Sequence, residues 1–167
     1  PRYEALGKLL AGVPESRPAA GFVRRVGGVT VEALFPPSAE TGRTPASNDR
    51  SLVLRLTYGA VSMLLPADIG AGAEGEILET GRDVRARILK AAHHGSATSS
   101  SEEFLRAVRP EIVVVSAGRG NAYGFPAAEM LARCERAGAR VLRTDRNGAV
   151  EAATDGQGLT VITSRGD

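Results

Sequence analysis

Lys90 to Phe104 reads KAAHHGSATSSSEEF, and the order of chemistries along it sets the architecture around it. Val84 to Leu89, just before it, is predicted to be a strand. Both histidines of the chain, His93 and His94, then stand side by side, followed by Gly95 and the hydroxyls of Ser96, Thr98, Ser99, Ser100 and Ser101. Ser100 and Glu103 have capping-box spacing, so a helix is predicted to start there and to carry Phe104, Leu105 and Val108. Pro110 stops it. Glu111 to Ser116 is almost continuously apolar, the pattern of a strand covered on both faces. Strand, loop, helix and strand in this order imply parallel pairing with helices packed on the sheet. The His-Ser loop then lies at a strand's carboxyl end and opens a helix, whose first N–H groups are free to meet an anion.

Working outward, Leu52, Leu54 and Leu56 alternate with Val53, Arg55 and Thr57, the period of a strand. Tyr58-Gly59-Ala60 turns the chain into a return strand, Val61 to Leu65, which ends at Pro66-Ala67-Asp68. Phe22 to Val26 and Val29 to Leu34 form a second predicted hairpin about Gly27-Gly28. Pro36 to Arg50 is a long polar loop, Tyr3 to Leu10 a short helix, and Glu74 to Thr80 another. After the central stretch, Gly118 to Gly124 is a polar loop. Pro126 opens a helix with Met130, Leu131, Cys134 and Ala137 inward and Arg133 and Arg136 outward. Arg140 to Arg143 is a strand. Asn147-Gly148 is a hairpin signal, with Ala149 to Thr154 and Leu159 to Thr163 completing the sheet. The 167 residues are read as a single α/β domain, 1–167.

Composition narrows the function. The formal net charge is +2, too weak by itself to prove a nucleic-acid partner. All but Lys8 and Lys90 of the basic residues are arginines, whose forks suit phosphate. Aromatics are few and tryptophan is absent, which argues against a base-stacking platform. The one cysteine, Cys134, excludes an internal disulfide and a cysteine metal cluster, and its place on an apolar helix face predicts a buried structural thiol. No apolar run is long enough to cross a bilayer.

The candidate ligands are Asp68, His93 and His94. All three follow strand ends, so neighbouring strands would bring them to one edge. Carboxylate with imidazole suits zinc or manganese, and a bound metal would lower the pKa of a water enough to give hydroxide near neutral pH. The hydroxyls of Ser96, Thr98 and Ser99 could hold a phosphate. A solvated turn carboxylate at Asp68 and a plain helix cap at the serines remain the competing readings. No G-x-S-x-G, P-loop or G-x-G-x-x-G occurs.

Three runs together carry a resemblance: LVLRL with SMLLPADI, ARILKAAHHGSATSSSEEFLRAVRPEIVVVSAG, and NAYGFPAAEMLARCERAGARVLRTDRNGAV. In order and spacing they resemble the C-terminal metallo-β-lactamase-like domain of the ComEC/Rec2 competence proteins, from about Asn48 to the end. The resemblance implies an αββα sandwich of which this chain is the C-terminal portion, a site for one or two divalent metals (zinc or manganese), and hydrolysis of a DNA phosphodiester. By position, Asp68 matches the aspartate of a "GD" motif that would bridge metals. His93 and His94 match an HHGS pair, of which one, His94 by preference, would ligate metal and the other contact metal or phosphate, with Ser96 and Thr98 beside the scissile phosphate. Asn48 and Ser51 match a polar motif opening the preceding strand.

The partners implied are DNA and the rest of a membrane protein, including the other half of the fold. The location implied is a soluble domain of a bacterial inner-membrane protein, on its extracytoplasmic side. The departures are specific. The family's H-x-H-x-D-H motif is absent, Ala67 stands for the "GD" glycine, and Tyr123-Gly124-Phe125-Pro126 stands where the family has YGHP. They predict a chain that is inactive alone, and they leave open a non-catalytic module that binds DNA or braces a channel. A hydrolase acting on another ester is a third possibility.

Overall fold

The structure, a computed structural model, describes residues 9, 11–13, 18–37 and 47–166. The helix predicted over Tyr3 to Leu10 falls, but for Leu9, outside the described residues. β1 (Val23–Val26) and β2 (Val29–Phe35) form the first hairpin, β3 (Val53–Tyr58) and β4 (Val61–Leu65) the second. α1 (Ala71–Glu79), β5 (Ile88–Lys90), α2 (Glu102–Val108), β6 (Ile112–Val115), α3 (Ala128–Arg136) and β7 (Arg140–Arg143) come next. The seven strands make one sheet in chain order, antiparallel through β4 and parallel from β4 to β7. The α/β class with a mixed sheet is therefore as predicted.

The strand register explains where the core lies. Val53, Leu64, Leu89, Val113 and Val115 fall on one face, all fully buried. On it pack Ala73 and Ile77 of α1, Phe104, Leu105 and Val108 of α2, and Met130 and Cys134 of α3. The i, i+3 and i, i+4 spacings of these residues put each helix's apolar stripe toward the sheet. The opposite face carries a row that crosses five strands in register: Val31, Leu56, Met63, Ile88 and Ile112. Of these only Ile88 is fully buried. β6 is accordingly sealed on one face, not on both.

Four further expectations are corrected. Ser101, not Ser100, caps α2, its Oγ accepting from the N–H of Phe104 at 3.2 Å. Ser100 instead takes a left-handed backbone (φ 54°), because the Glu74 carboxylate accepts from the N–H groups of both Ser100 (2.5 Å) and Ser101 (2.8 Å). Asn147-Gly148 makes no hairpin between β7 and the next strand. A helical turn, α4 (Thr144–Asn147), intervenes, and the Asn147 side chain accepts from the N–H of Arg143 at 2.8 Å. β8 (Val150–Thr154) and β9 (Leu159–Thr163) do not complete the main sheet but pair with each other in a second one. Arg133 does not simply face solvent but is half-buried against the hydroxyl loop. Its guanidinium donates to the carbonyls of Ala97 and Ser99 (2.8 Å each) and of Ser100 (2.9 Å). No helix among the described residues is long and apolar enough to cross a membrane.

Candidate functional site

β4 and β5 are parallel neighbours, so their carboxyl ends open at the same edge of the sheet. Asp68 lies three residues past β4. His93 and His94 lie just past β5 in a 3-10 turn, Ala92–Gly95. The two strand ends are tied by the His93 N–H, which donates to the Ala67 carbonyl at 3.0 Å. Three residues here hold left-handed backbones: Ala67 (φ 50°), His93 (φ 46°) and His94 (φ 56°). Each such non-glycine position costs about 1–3 kcal/mol and persists only where its surroundings impose it, often at a functional site. Ala67 occupies a conformation natural to glycine. Gly95 (φ +86°) is required for space: a Cβ there would lie 2.6 Å from both Met130 Cε and Pro126 Cβ.

The turn fixes the chemistry of His94. Its Nδ1 lies 2.9 Å from the Ser116 carbonyl at the end of β6. A carbonyl only accepts, so Nδ1 carries a proton, and in the neutral imidazole that tautomer leaves the Nε2 lone pair for a ligand. Nε2 faces Asp68, 3.8 Å from Oδ1. A backbone carbonyl holding the outer nitrogen while the inner one faces a carboxylate is the arrangement typical of a metal-binding imidazole. His93 lines the same cleft, of about 530 Å³, with Phe125 against it at a centroid separation of 5.7 Å.

Of the hydroxyls, Thr98 borders a shallower groove shared with Asp68 and His93. Ser96 is buried, and its Oγ is 3.0 Å from Thr98 Oγ1 and accepts from the Thr98 N–H. Ser99 differs from its predicted place. It is fully buried, and its hydroxyl is within reach of the Ala92 and Ser96 carbonyls at 2.9 and 3.1 Å, so it braces the loop from inside. The Asn48 carbonyl accepts from the N–H of Ser51 and closes the turn before β3.

Sequence reasoning missed three contributors. Asp49 enters the groove beside Asp68 and accepts from the Gly70 N–H at 3.3 Å. Glu74 accepts from the hydroxyl loop's amides and Arg133 donates to its carbonyls. Burial pushes the Glu74 carboxyl above its ordinary value, against the Ser101 and Ser100 hydrogen bonds and the Arg133 charge. Its signal was present in the spacing, since Ala73, Glu74 and Ile77 share one buried helix face. The buried thiol predicted at Cys134 is observed, with a pKa pushed up by burial to about 11.

Asp68 and His94 together offer oxygen and nitrogen donors of the kind zinc or manganese takes. Among the described residues no three His, Cys, Asp or Glu side chains are grouped to hold a metal ion. The donor chemistry fits a divalent metal, but the donor number is that of a partial site.

The geometry defines a class: an α/β domain in which a carboxylate and an oriented imidazole sit beside a hydroxyl loop at parallel strand ends. No family model matches the chain. It is 34% identical over 141 residues to ComE operon protein 3 of Bacillus subtilis, covering 84% of this chain and 18% of that protein. It is 35% identical over 159 residues to competence protein ComA of Neisseria gonorrhoeae, covering 89% and 23%. Against recombination protein 2 of Haemophilus influenzae it is 36% identical over 107 residues, 64% and 13%. The chain belongs to the ComEC/Rec2 family of competence proteins, and it spans less than a quarter of the length of these relatives.

Proposed function

We propose that this chain is part of a metal-dependent phosphodiesterase domain, of metallo-β-lactamase-like architecture, that processes DNA during uptake. The single observation that carries this is the orientation of His94, whose Nδ1–H is held by Ser116 O while Nε2 faces Asp68. Asp68 Oδ1 and His94 Nε2 would hold the metal, with His93 lining the same cleft. A bound zinc or manganese would supply a hydroxide-generating Lewis acid. Thr98, poised by Ser96, would orient a phosphate oxygen.

Two features support the wider reading. The half-open apolar row Val31–Leu56–Met63–Ile88–Ile112 is what one half of a sandwich presents to the other. A groove between α2 and α3 carries Arg106 and Arg109, beside Arg136 paired to Glu102 at 2.6 Å and Arg133 bound to the loop carbonyls, and this basic lining suits an anionic backbone. The rest of the longer protein would supply the remaining metal donors, the membrane attachment and the transport partner, with this domain outside the cytoplasm.

The second reading is a non-catalytic DNA-binding or bracing module. It is favoured by the partial donor set and by Phe125, which fills the cleft wall against His93. Metal analysis and a manganese-dependent nuclease assay on the intact protein separate the two, run beside Asp68→Ala and His94→Ala. The proposal expects bound metal and cleavage that both substitutions abolish. An intact protein with neither metal nor cleavage leaves the non-catalytic module. Cleavage that survives both substitutions removes the site assignment.

A further inference from the structure

Tyr123 is 81% exposed, yet it is not a loose surface ring. Its ring stacks on Phe125 at 5.7 Å between centroids with 18° between planes, and Phe125 meets His93 edge-on at 5.7 Å and 66°. The three rings form a ladder from solvent to the imidazole that lines the cleft. The loop carrying Tyr123 and Phe125 is held by Asn121, whose Nδ2 donates to Gly118 O (2.9 Å) and Phe125 O (2.7 Å) while its Oδ1 accepts from the Phe125 N–H (3.0 Å). Thr144 anchors the start of the same segment, exchanging two hydrogen bonds of 2.9 Å with Ala117. An aromatic face is thus kept bare and fixed at the mouth of the cleft.

Exposing a tyrosine this fully gains nothing from burial. A fixed, solvent-facing π-surface lining the same cleft as Asp68 and His94 suits an unpaired nucleobase whose backbone enters the cleft. Interior bases of a duplex are already stacked on both faces and offer none to Tyr123. We infer that Tyr123, backed by Phe125, is a base-stacking ledge that makes single-stranded nucleic acid the ligand of this cleft. The ledge deepens the phosphodiesterase reading and rests on it for the cleft's purpose, but it is testable without catalysis.

The test is equilibrium binding of the intact protein, with EDTA present, to a fluorescent oligothymidylate, to an abasic oligomer of equal length, and to a blunt duplex. Base–aromatic stacking is worth about 1–3 kcal/mol per base, so Tyr123→Ala should weaken oligothymidylate binding by about 5- to 150-fold. Tyr123→Phe should stay within about twofold, and neither variant should change abasic or duplex binding. A thermal midpoint unchanged by Tyr123→Ala confirms that the fold is intact. Binding of oligothymidylate within about twofold of wild type in Tyr123→Ala overturns the inference. So does an equal loss with the abasic oligomer, and so does an intact protein that binds no single strand.

Tyrosine-dependent binding without manganese-dependent cleavage would keep the ledge and remove the phosphodiesterase. Cleavage with a neutral Tyr123→Ala would do the reverse.

Discussion

Arg133→Met should loosen the hydroxyl loop while keeping the aliphatic stem that packs beside α2. The guanidinium makes three hydrogen bonds of 2.8–2.9 Å to the Ala97, Ser99 and Ser100 carbonyls. A hydrogen bond to a charged group contributes about 1.5–3 kcal/mol net. The Ala97 contact is exposed, and water can replace it at little cost. Counting the two part-buried contacts and discounting for partial rehydration gives a loss of about 2–4 kcal/mol. Urea unfolding at neutral pH reads this directly, and amide exchange at Ser100 and Ser101 should accelerate more than at β6. Arg133→Lys should recover less than half, because an ammonium cannot fork across three carbonyls. A loss below about 1 kcal/mol for Arg133→Met, or full rescue by lysine, would show that the loop holds its shape without the guanidinium and refute the reasoning.

Gly95→Ala should destabilise by about 2–4 kcal/mol, since the new methyl would meet Met130 and Pro126 at 2.6 Å on a left-handed backbone; a midpoint unchanged in urea would contradict it. The Cys134 thiol, raised from 9.0 to about 11, should hold about a hundredfold less thiolate at about pH 8 than in the unfolded chain. Iodoacetamide should therefore label native protein far more slowly than protein in urea, and equal rates would count against the burial. Glu74 holds its proton more tightly folded than unfolded, so its contribution is full below its ordinary value of 4.5 and is lost as pH rises through the higher folded value. Glu74→Gln cannot ionise, so the stability of the variant relative to wild type should rise from pH 4.5 toward neutrality. A flat or falling difference in urea midpoints across that range would reverse the sign.

What local pattern could convey, and what it could not, divides along contact distance. The alternation of Leu52 to Thr57 and the apolar run of Glu111 to Ser116 announce strands without outside help, and Arg140 to Arg143 matches β7 end to end. The helix start at Ser100 slipped by one residue for a reason 26 positions away: the Glu74 carboxylate captures two amides and turns Ser100 left-handed, so Ser101 becomes the cap. Arg133 fell on the polar side of a helical pattern, but the chain brings a row of unpaired carbonyls to that side. A helical pattern records which residues avoid water, and it cannot distinguish water from another segment's carbonyls. Asn147-Gly148 failed likewise, because the Asn147 side chain serves the Arg143 amide and β8 pairs elsewhere.

The site divides in the same way. Asp68, His93 and His94 were legible because each comes just after a strand end, and the parallel pairing of β4 with β5 is all that is needed to bring those ends together. The inward turn of Ser99 was not legible, since serine's preference for loops does not say which carbonyl its hydroxyl will find. The aromatic ledge shows the limit of composition most plainly. Seven aromatic residues without tryptophan argue against a stacking surface when counted over the chain. Two of them, stacked and fixed by one asparagine at the mouth of the cleft, make such a surface locally. Stacking depends on where rings are held, so a composition argument constrains a nucleic-acid surface only when a broad platform is needed. A cleft taking one nucleotide at a time would need only a single face, such as the one Tyr123 exposes.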